Sequence, residues 1–598
     1  MATPSKLAAL LSWCDLNGVR IDPKIEVVCS DAAGIAARSK RGITTIGCPS
    51  TLVSIPKSAV LSVRSCTFAR CITPVPYGHG AHLALALALY SELLQGQKSR
   101  WYGYLQSLPS EIVDIALFWS TYDRNPHVEH VDKEDALLAH AWIKGSEIEN
   151  CMRDKESGEN ILEEIDTFYS TVGSPILAQL RLPISLEGFY HAYSLVSSRA
   201  FLVDAYHGLA MVPIADAFNH AQENHVHLES DYDVCVICGA LDECPHDEDI
   251  SDANGECLSA SIEGQTPQMT GGVRNGQDTC EMVSNSPIPP SAEAFNTYGE
   301  GLSNAELLTS YGFILDDNEF DSVRWSLSDL RSLASGLGFG SRRDQSENAF
   351  GELLQLWTAI ASAWPSFSEW NDSLLVYADD HLSQPSVQSL HLPWNPKTIR
   401  FTDKDKPPSS LLARDENAVD LEQYLCLNGD GKLSHHLWLW CALLALQLAG
   451  GRDVEVHDIG YLQQLANAQL EQEGMVFGRG GETMSFSDDN DGPTRRPCGV
   501  GVEPTKKRVG GDNQSVHDSN NDVAVLLPTI IGVVTALCDL RCHRVERARG
   551  MSSEELGQLL DKMPFEMRRT RMVITQVVVE RSILESCMST WKELEDVK

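Results

Sequence analysis

No GxGxxG step follows an apolar strand pattern, and no GxxxxGK[ST] loop occurs, so the chain offers neither a dinucleotide fingerprint nor a phosphate cradle. HExxH and GxSxG are missing as well, which removes the usual signatures of zinc proteases and serine hydrolases. One glycine cluster, GLGFG at 336–340, comes after a helical run and reads as the loop beyond a helix end. Positive charge is scarce: 47 Lys and Arg stand against 83 Asp and Glu, a formal net charge of -36. Such a chain repels phosphate backbones, so no nucleic-acid partner is expected; the charge favours a basic protein partner and also serves solubility. Long apolar runs are lacking too. VAVLLPTIIGVVTALC and LWLWCALLALQLAGG fall short of the roughly 20 residues that span a bilayer, and the first holds Pro528 and Gly532, so buried helices rather than membrane spans are expected.

What is present fits an ordinary soluble protein, with 43% hydrophobic and 22% charged residues. At 598 residues it exceeds what one core can organise and calls for two or three domains. Seventeen cysteines follow no disulfide framework, and MATPSKLAALLSWC lacks the basic start and apolar stretch of a signal peptide. A reducing, intracellular compartment is expected, the nucleus or the cytoplasm.

Along the chain, the first seventy residues alternate apolar and polar positions in bursts such as IEVVC and TLVSIPKSAVLS, which reads as small strands and turns. Residues 81–198 read as mostly helical, because the length and Ala/Leu content of HLALALALYSELLQ outweigh its alternation. Short strands return in FLVDAYHGLAMVPIAD, and residues 233–285 read as an inserted loop, polar and without period. A helical second domain is expected over 321–598, interrupted by a disordered segment at 477–522.

Two stretches carry polar groups of chemical interest: PIADAFNH, ending in Asn219 and His220, and FNTYGEGLSNAELLTSYGF, with Tyr298 and Tyr311. Alone, the Asn-His pair reads as a turn with Asn capping the next segment, and Tyr311 as a half-buried core aromatic. In the insert, CVICGALDECPH gives Cys235, Cys238, Cys244 and His246, enough ligands for tetrahedral zinc. Ordinary reduced thiols are the preferred reading there, since a knuckle usually separates its ligand pairs by more than the five residues found here.

Taken in order, GFYHAYSLVSSRAFLVD, MVPIADAFNH and AFNTYGEGLSNAELLTSYGF resemble the SET-domain protein lysine methyltransferases, in the branch of the Rubisco large-subunit methyltransferase and the fungal ribosomal-protein lysine methyltransferases. GIAARSKRG with LVSIPKSAVLS looks like that branch's opening strands. The resemblance implies an α+β fold: a SET-type catalytic domain over 1–320 with a helical insertion at 81–198, then an all-α substrate-binding domain. It implies S-adenosylmethionine as methyl donor and a lysine of a basic, non-histone protein, such as a ribosomal protein, as acceptor. It makes Tyr311 the essential tyrosine and Tyr298 a second channel tyrosine, and gives cofactor contacts to Gly34, Ala36, Arg199, Asn219 and His220. Ala36 stands where the family commonly has the second glycine of Gly-x-Gly, and Glu293 matches the family's glutamate. Histidine methylation and a catalytically silent, partner-binding relative are the alternatives.

Overall fold

The computed structural model describes residues 4–30, 34–124, 130–154, 157–242, 244–246, 278–339, 349–363, 424–450, 476–477 and 519–594. The chain starts with helix α1 (Pro4–Leu16), where strands and turns were expected. Its buried residues, Leu10, Trp13 and Cys14, follow helical spacing, so one face turns inward. The strands then follow: β1 (Arg20–Ile21), β2 (Ile25–Ser30), β3 (Gly34–Ser39), β4 (Thr51–Pro56) and β5 (Leu61–Ser62).

HLALALALYSELLQ falls in helix α2 (Gly78–Gln95), as its composition predicts; Ala84 through Glu92 are all buried, which a helix lined with Ala and Leu on every side permits. The helical section continues through α3 (His130–Ile143), α4 (Glu147–Cys151) and α5 (Leu186–Arg199). Strands β6 (Ala200–Leu202) and β7 (Leu209–Met211) form a three-stranded antiparallel sheet with β5, in the order β5-β7-β6. Strand β8 (Val226–Glu229) and β9 (Thr279–Ser284) complete a second sheet, β1-β4-β9-β8, also antiparallel. The expected loop over 233–285 is corrected at its end: β9 lies inside it and pairs on both sides. Residues 243 and 247–277 of that stretch lie outside the described residues. Helix α6 (Asn304–Ser310) leads toward the second half.

Two apolar cores result. The first takes in the sheets and helices α1 to α6. The second is built from Trp325, Trp357, helix α7 (His435–Gly450), helix α8 (Ser519–Arg544) and the last turns of helix α9 (Arg568–Glu593). By length and composition the Leu526–Arg544 part of α8 could cross a membrane. In this fold it buries Ile530, Ile531, Val533 and Val534 in the second core. The all-α expectation for this half needs one correction: β10 (Val323–Arg324), β11 (Cys426–Leu427), β12 (Leu433–Ser434) and β13 (Val476–Phe477) form a small sheet. Two-residue strands are too short to show alternation in a sequence. Of the segment 477–522, Phe477 is in β13 and Ser519–Asp522 open α8; 478–518 lie outside the described residues. Those four helical residues, SNND, are of the types that favour helix starts, which is why polarity alone misplaced them.

Helix α9 belongs to both cores. Val573, Ile574 and Val577 pack in the first, and Ile583, Leu584, Cys587 and Trp591 in the second. At its start, Arg569 Nε donates to Asp114 Oδ1 at 2.7 Å and its Nη1 lies 3.2 Å from Asp132 Oδ1. Asp135 accepts from the Thr570 backbone N–H at 3.0 Å and from its hydroxyl at 2.7 Å.

Candidate active site

Backbone pairing creates the site. The Asn296 N–H donates to the Asn219 carbonyl at 2.8 Å, and the Ala221 N–H donates to the Asn296 carbonyl at 3.0 Å, so the segments that carry the two sequence motifs run side by side. His220 and Asn296 form a parallel bridge there. Consequently His220 Nδ1 accepts the Tyr298 N–H at 3.1 Å, and the two rings lie 5.2 Å apart. With Nδ1 an acceptor, the imidazole is neutral with its proton on Nε2. Burial pushes its pKa down to about 4.

Tyr311 arrives from the other direction, at the end of α6. That helix starts with a reciprocal cap, Ser303 with Glu306, and stops where Gly312 takes φ +82° and donates its N–H to Leu307 O at 3.0 Å. A Cβ at Gly312 would come within 2.2 Å of the Asp114 carbonyl oxygen, so only glycine permits this approach. The turn sets the Tyr311 ring against Tyr298, with centroids 4.7 Å apart and planes at 27°, and Phe313 flanks both at 6.4 Å. The Tyr311 hydroxyl donates to the Tyr298 carbonyl at 3.3 Å. Burial pushes the Tyr298 phenol up to about 12 and raises Tyr311 as well, so both carry their protons at neutral pH.

Arg199, the last residue of α5, faces the apolar run that precedes Asn219. Its Nη1 donates to the Asp216 carbonyl at 3.1 Å and lies 3.7 Å from Asp216 Oδ2, which also accepts the Tyr104 hydroxyl at 3.0 Å. Burial raises the Asp216 carboxyl, and the Arg199 charge opposes that rise. Asn219 Nδ2 donates to Glu293 Oε1 at 2.6 Å. Glu293 is bridged to Arg38 of β3, and the Ala294 N–H donates to the Ala37 carbonyl at 2.9 Å. Strand β3 therefore joins the site through Ala37 and Arg38, while Gly34 takes φ +82° at the strand's start and Ala36 is buried. Three buried polar atoms here have no partner: Arg199 Nε and both side-chain polar atoms of Asn296. Unpaired groups of this kind suit a polar ligand.

The structure thus brings Asn219, His220, Tyr298 and Tyr311 into one contact network, and Cys235, Cys238, Cys244 and His246 into a separate cluster. Sequence reasoning missed Asp216, Tyr104, Asn296 and Phe313. A carboxylate set in the apolar run PIADAF was the available signal for Asp216; Tyr104 gave none.

No family model matches the chain. The chain is 25% identical over 399 residues to ribosomal lysine N-methyltransferase 3 of Saccharomyces cerevisiae, covering 59% of this chain and 68% of that protein. It is 22% identical over 339 residues to the N-lysine methyltransferase SETD6 of Bos taurus, covering 55% of this chain and 62% of that one, less than two thirds of its length. Among solved structures, that of Rubisco LSMT bound to AdoMet matches with a TM-score of 0.50 at 13% identity, over 99% of this chain and 92% of that one. That likeness carries the fold.

Proposed function

We propose that this chain, a SET-domain protein-lysine methyltransferase, uses S-adenosylmethionine to methylate a lysine of a ribosomal protein. The observation that carries the reading is the tyrosine pair: two half-buried, protonated phenols stacked 4.7 Å apart, one of them bonded to the other's backbone carbonyl. An amine nucleophile needs to be neutral, desolvated and aimed, and aromatic walls with carbonyl acceptors meet those needs without a charged base. Burial among Tyr298, Tyr311 and Phe313 lowers the ammonium pKa, so the lysine loses its proton to water before transfer. The Tyr311 hydroxyl and neighbouring carbonyls then orient the amine's N–H groups and lone pair. Bound S-adenosylmethionine supplies an electrophilic methyl on a sulfonium.

Fit to the cofactor rests on the unpaired atoms. Arg199 Nε and the Asn296 amide are buried without partners, and a cofactor carries a carboxylate and an amino group that pair with such atoms. Asn219 and His220 complete this cofactor-binding set, with Gly34 and Ala36 on the strand that flanks Glu293. Arg199→Lys keeps the charge but loses the planar fork, and is expected to weaken S-adenosylmethionine binding about tenfold or more. Calorimetric titration reads this directly; unchanged affinity would remove Arg199 from the cofactor set.

The ribosomal target is supported by the yeast relative's name and by the net charge of -36, which suits a lysine in a basic segment. The second half is assigned the holding of that segment, and the place of action the nucleus or cytoplasm, where ribosomal proteins are made and assembled. The test is incubation of the full chain with radiolabelled S-adenosylmethionine and fractionated ribosomal proteins, followed by mass spectrometry of the labelled band. Methyl-lysine in one basic protein is the expected product. Label on histidine would establish the alternative specificity, and cofactor binding with no transfer to any fraction would mark a silent relative.

A further inference from the structure

Cys235, Cys238, Cys244 and His246 place their ligand atoms all within 4.8 Å of one another. The Sγ of Cys235 lies 3.7 Å from His246 Nδ1 and that of Cys244 lies 3.5 Å from it. Around a tetrahedral zinc ion, with Zn–S about 2.3 Å and Zn–N about 2.0 to 2.1 Å, the S···N edge comes to about 3.6 Å. The two separations therefore bracket that edge. We propose that these four side chains form a structural zinc site that closes the turn after β8.

The backbone supports the same assignment independently. Cys235 N–H donates to Ala240 O at 2.8 Å and Gly239 N–H donates back to Cys235 O at 2.7 Å, with Gly239 at φ +74°. With Gly239 in the left-handed region the loop folds back on itself, which holds the Cys235 and Cys238 sulfurs within 4.8 Å of one another. Packing points the same way. Val236, Ile237 and Leu241 are 54%, 56% and 49% exposed, so the loop turns its apolar side chains outward and gathers its soft ligands together. An apolar core cannot hold a loop of that polarity; an ion can.

Three thiolates and one imidazole in tetrahedral array select zinc over harder divalent ions, and binding releases the thiol protons. The site sits against β6–β7: a Cβ on Gly239 would come within 2.9 Å of the Tyr206 ring, whose plane also meets the Arg64 guanidinium at 5.1 Å. Zinc there fastens the start of the long β8–β9 connection to the sheet domain. It takes no part in methyl transfer.

Full-length protein purified without chelator should contain about one zinc per chain by elemental analysis. Cys238→Ser should lose it, while Cys71→Ser, which replaces an exposed cysteine outside the cluster, should keep it. Titrating metal-stripped wild-type protein with Co2+ should give the strong visible bands of tetrahedral thiolate coordination, a readout that survives even where a serine variant misfolds. Wild-type protein free of zinc and lacking those bands would overturn the assignment. So would zinc retained equally by Cys238→Ser and Cys244→Ser, or a disulfide within the cluster found by mass spectrometry.

Discussion

Replacing Tyr311 by phenylalanine is expected to slow methyl transfer by a factor of about 100 or more. Affinity for S-adenosylmethionine should change by less than about twofold, since the cofactor groups assigned above are retained. The two readouts separate because the substitution is small. Phenylalanine keeps the ring that stacks 4.7 Å from Tyr298 and removes only the hydroxyl that donates to the Tyr298 carbonyl at 3.3 Å. Losing one long hydrogen bond costs about 1 kcal/mol of stability, too little to unfold a domain. The hydroxyl's position beside a carbonyl is what an incoming amine needs for orientation, and that is lost in full. Single-turnover kinetics with a fixed protein substrate measures the rate, and calorimetry the affinity. A variant that methylates at the wild-type rate would move the chemistry to another group, with Tyr298 the next to replace.

The residues around this site were legible in the sequence to different degrees. Asn219, His220, Tyr298 and Tyr311 could be named because they sit in two short stretches whose order resembles a known family. The pairing of Asn296 with Asn219 that joins those stretches is a contact between distant segments, and no local pattern encodes it. Helix α1 was available: Leu10, Trp13 and Cys14 recur at helical spacing, and grouping them with the strands that follow hid the period. Strand β9 was harder. Its six residues, TCEMVS, end a polar stretch, and its importance comes from pairing with β4 and β8 at once. The double membership of α9 could not be read at all. Asp114, Asp132 and Asp135 reach Arg569 and Thr570 from more than 400 residues away, and no periodicity of a single helix says which core each of its turns will meet.

Arg541→Leu should have the largest effect on stability, because of what it leaves behind. The Arg541 side chain is 1% exposed; its Nη2 lies 2.5 Å from Glu147 Oε1 and 3.5 Å from Glu580 Oε2, and its Nη1 donates to the Gly145 carbonyl at 3.0 Å. Glu147 belongs to α4 in the first half, Arg541 to α8 and Glu580 to α9, so this one guanidinium ties three elements together. Removing it strands two buried carboxylates, and breaking such a set from one side costs about 3 to 5 kcal/mol. The loss should depend on pH, with a definite sign. Burial already pushes the Glu580 carboxyl up to about 7 against the pull of Arg541, and deleting that pull raises it further. A carboxyl whose folded pKa lies above its unfolded value stabilises the fold below the unfolded value and loses that contribution as pH rises through the folded one. Wild type and variant should therefore differ least near pH 5 and most near pH 8, values set by the usual glutamate range and by the raised carboxyl. Denaturant unfolding at the two pH values measures the difference. Replacing Glu147 and Glu580 by glutamine in the same chain should recover much of it. Excising 321–598 would be a blunter experiment, because it strips Val573, Ile574 and Val577 out of the first core and would unfold the cofactor site along with the half removed. Equal losses at both pH values would mean that α8 is held to α4 and α9 by packing, and that the buried charges are incidental to the joint.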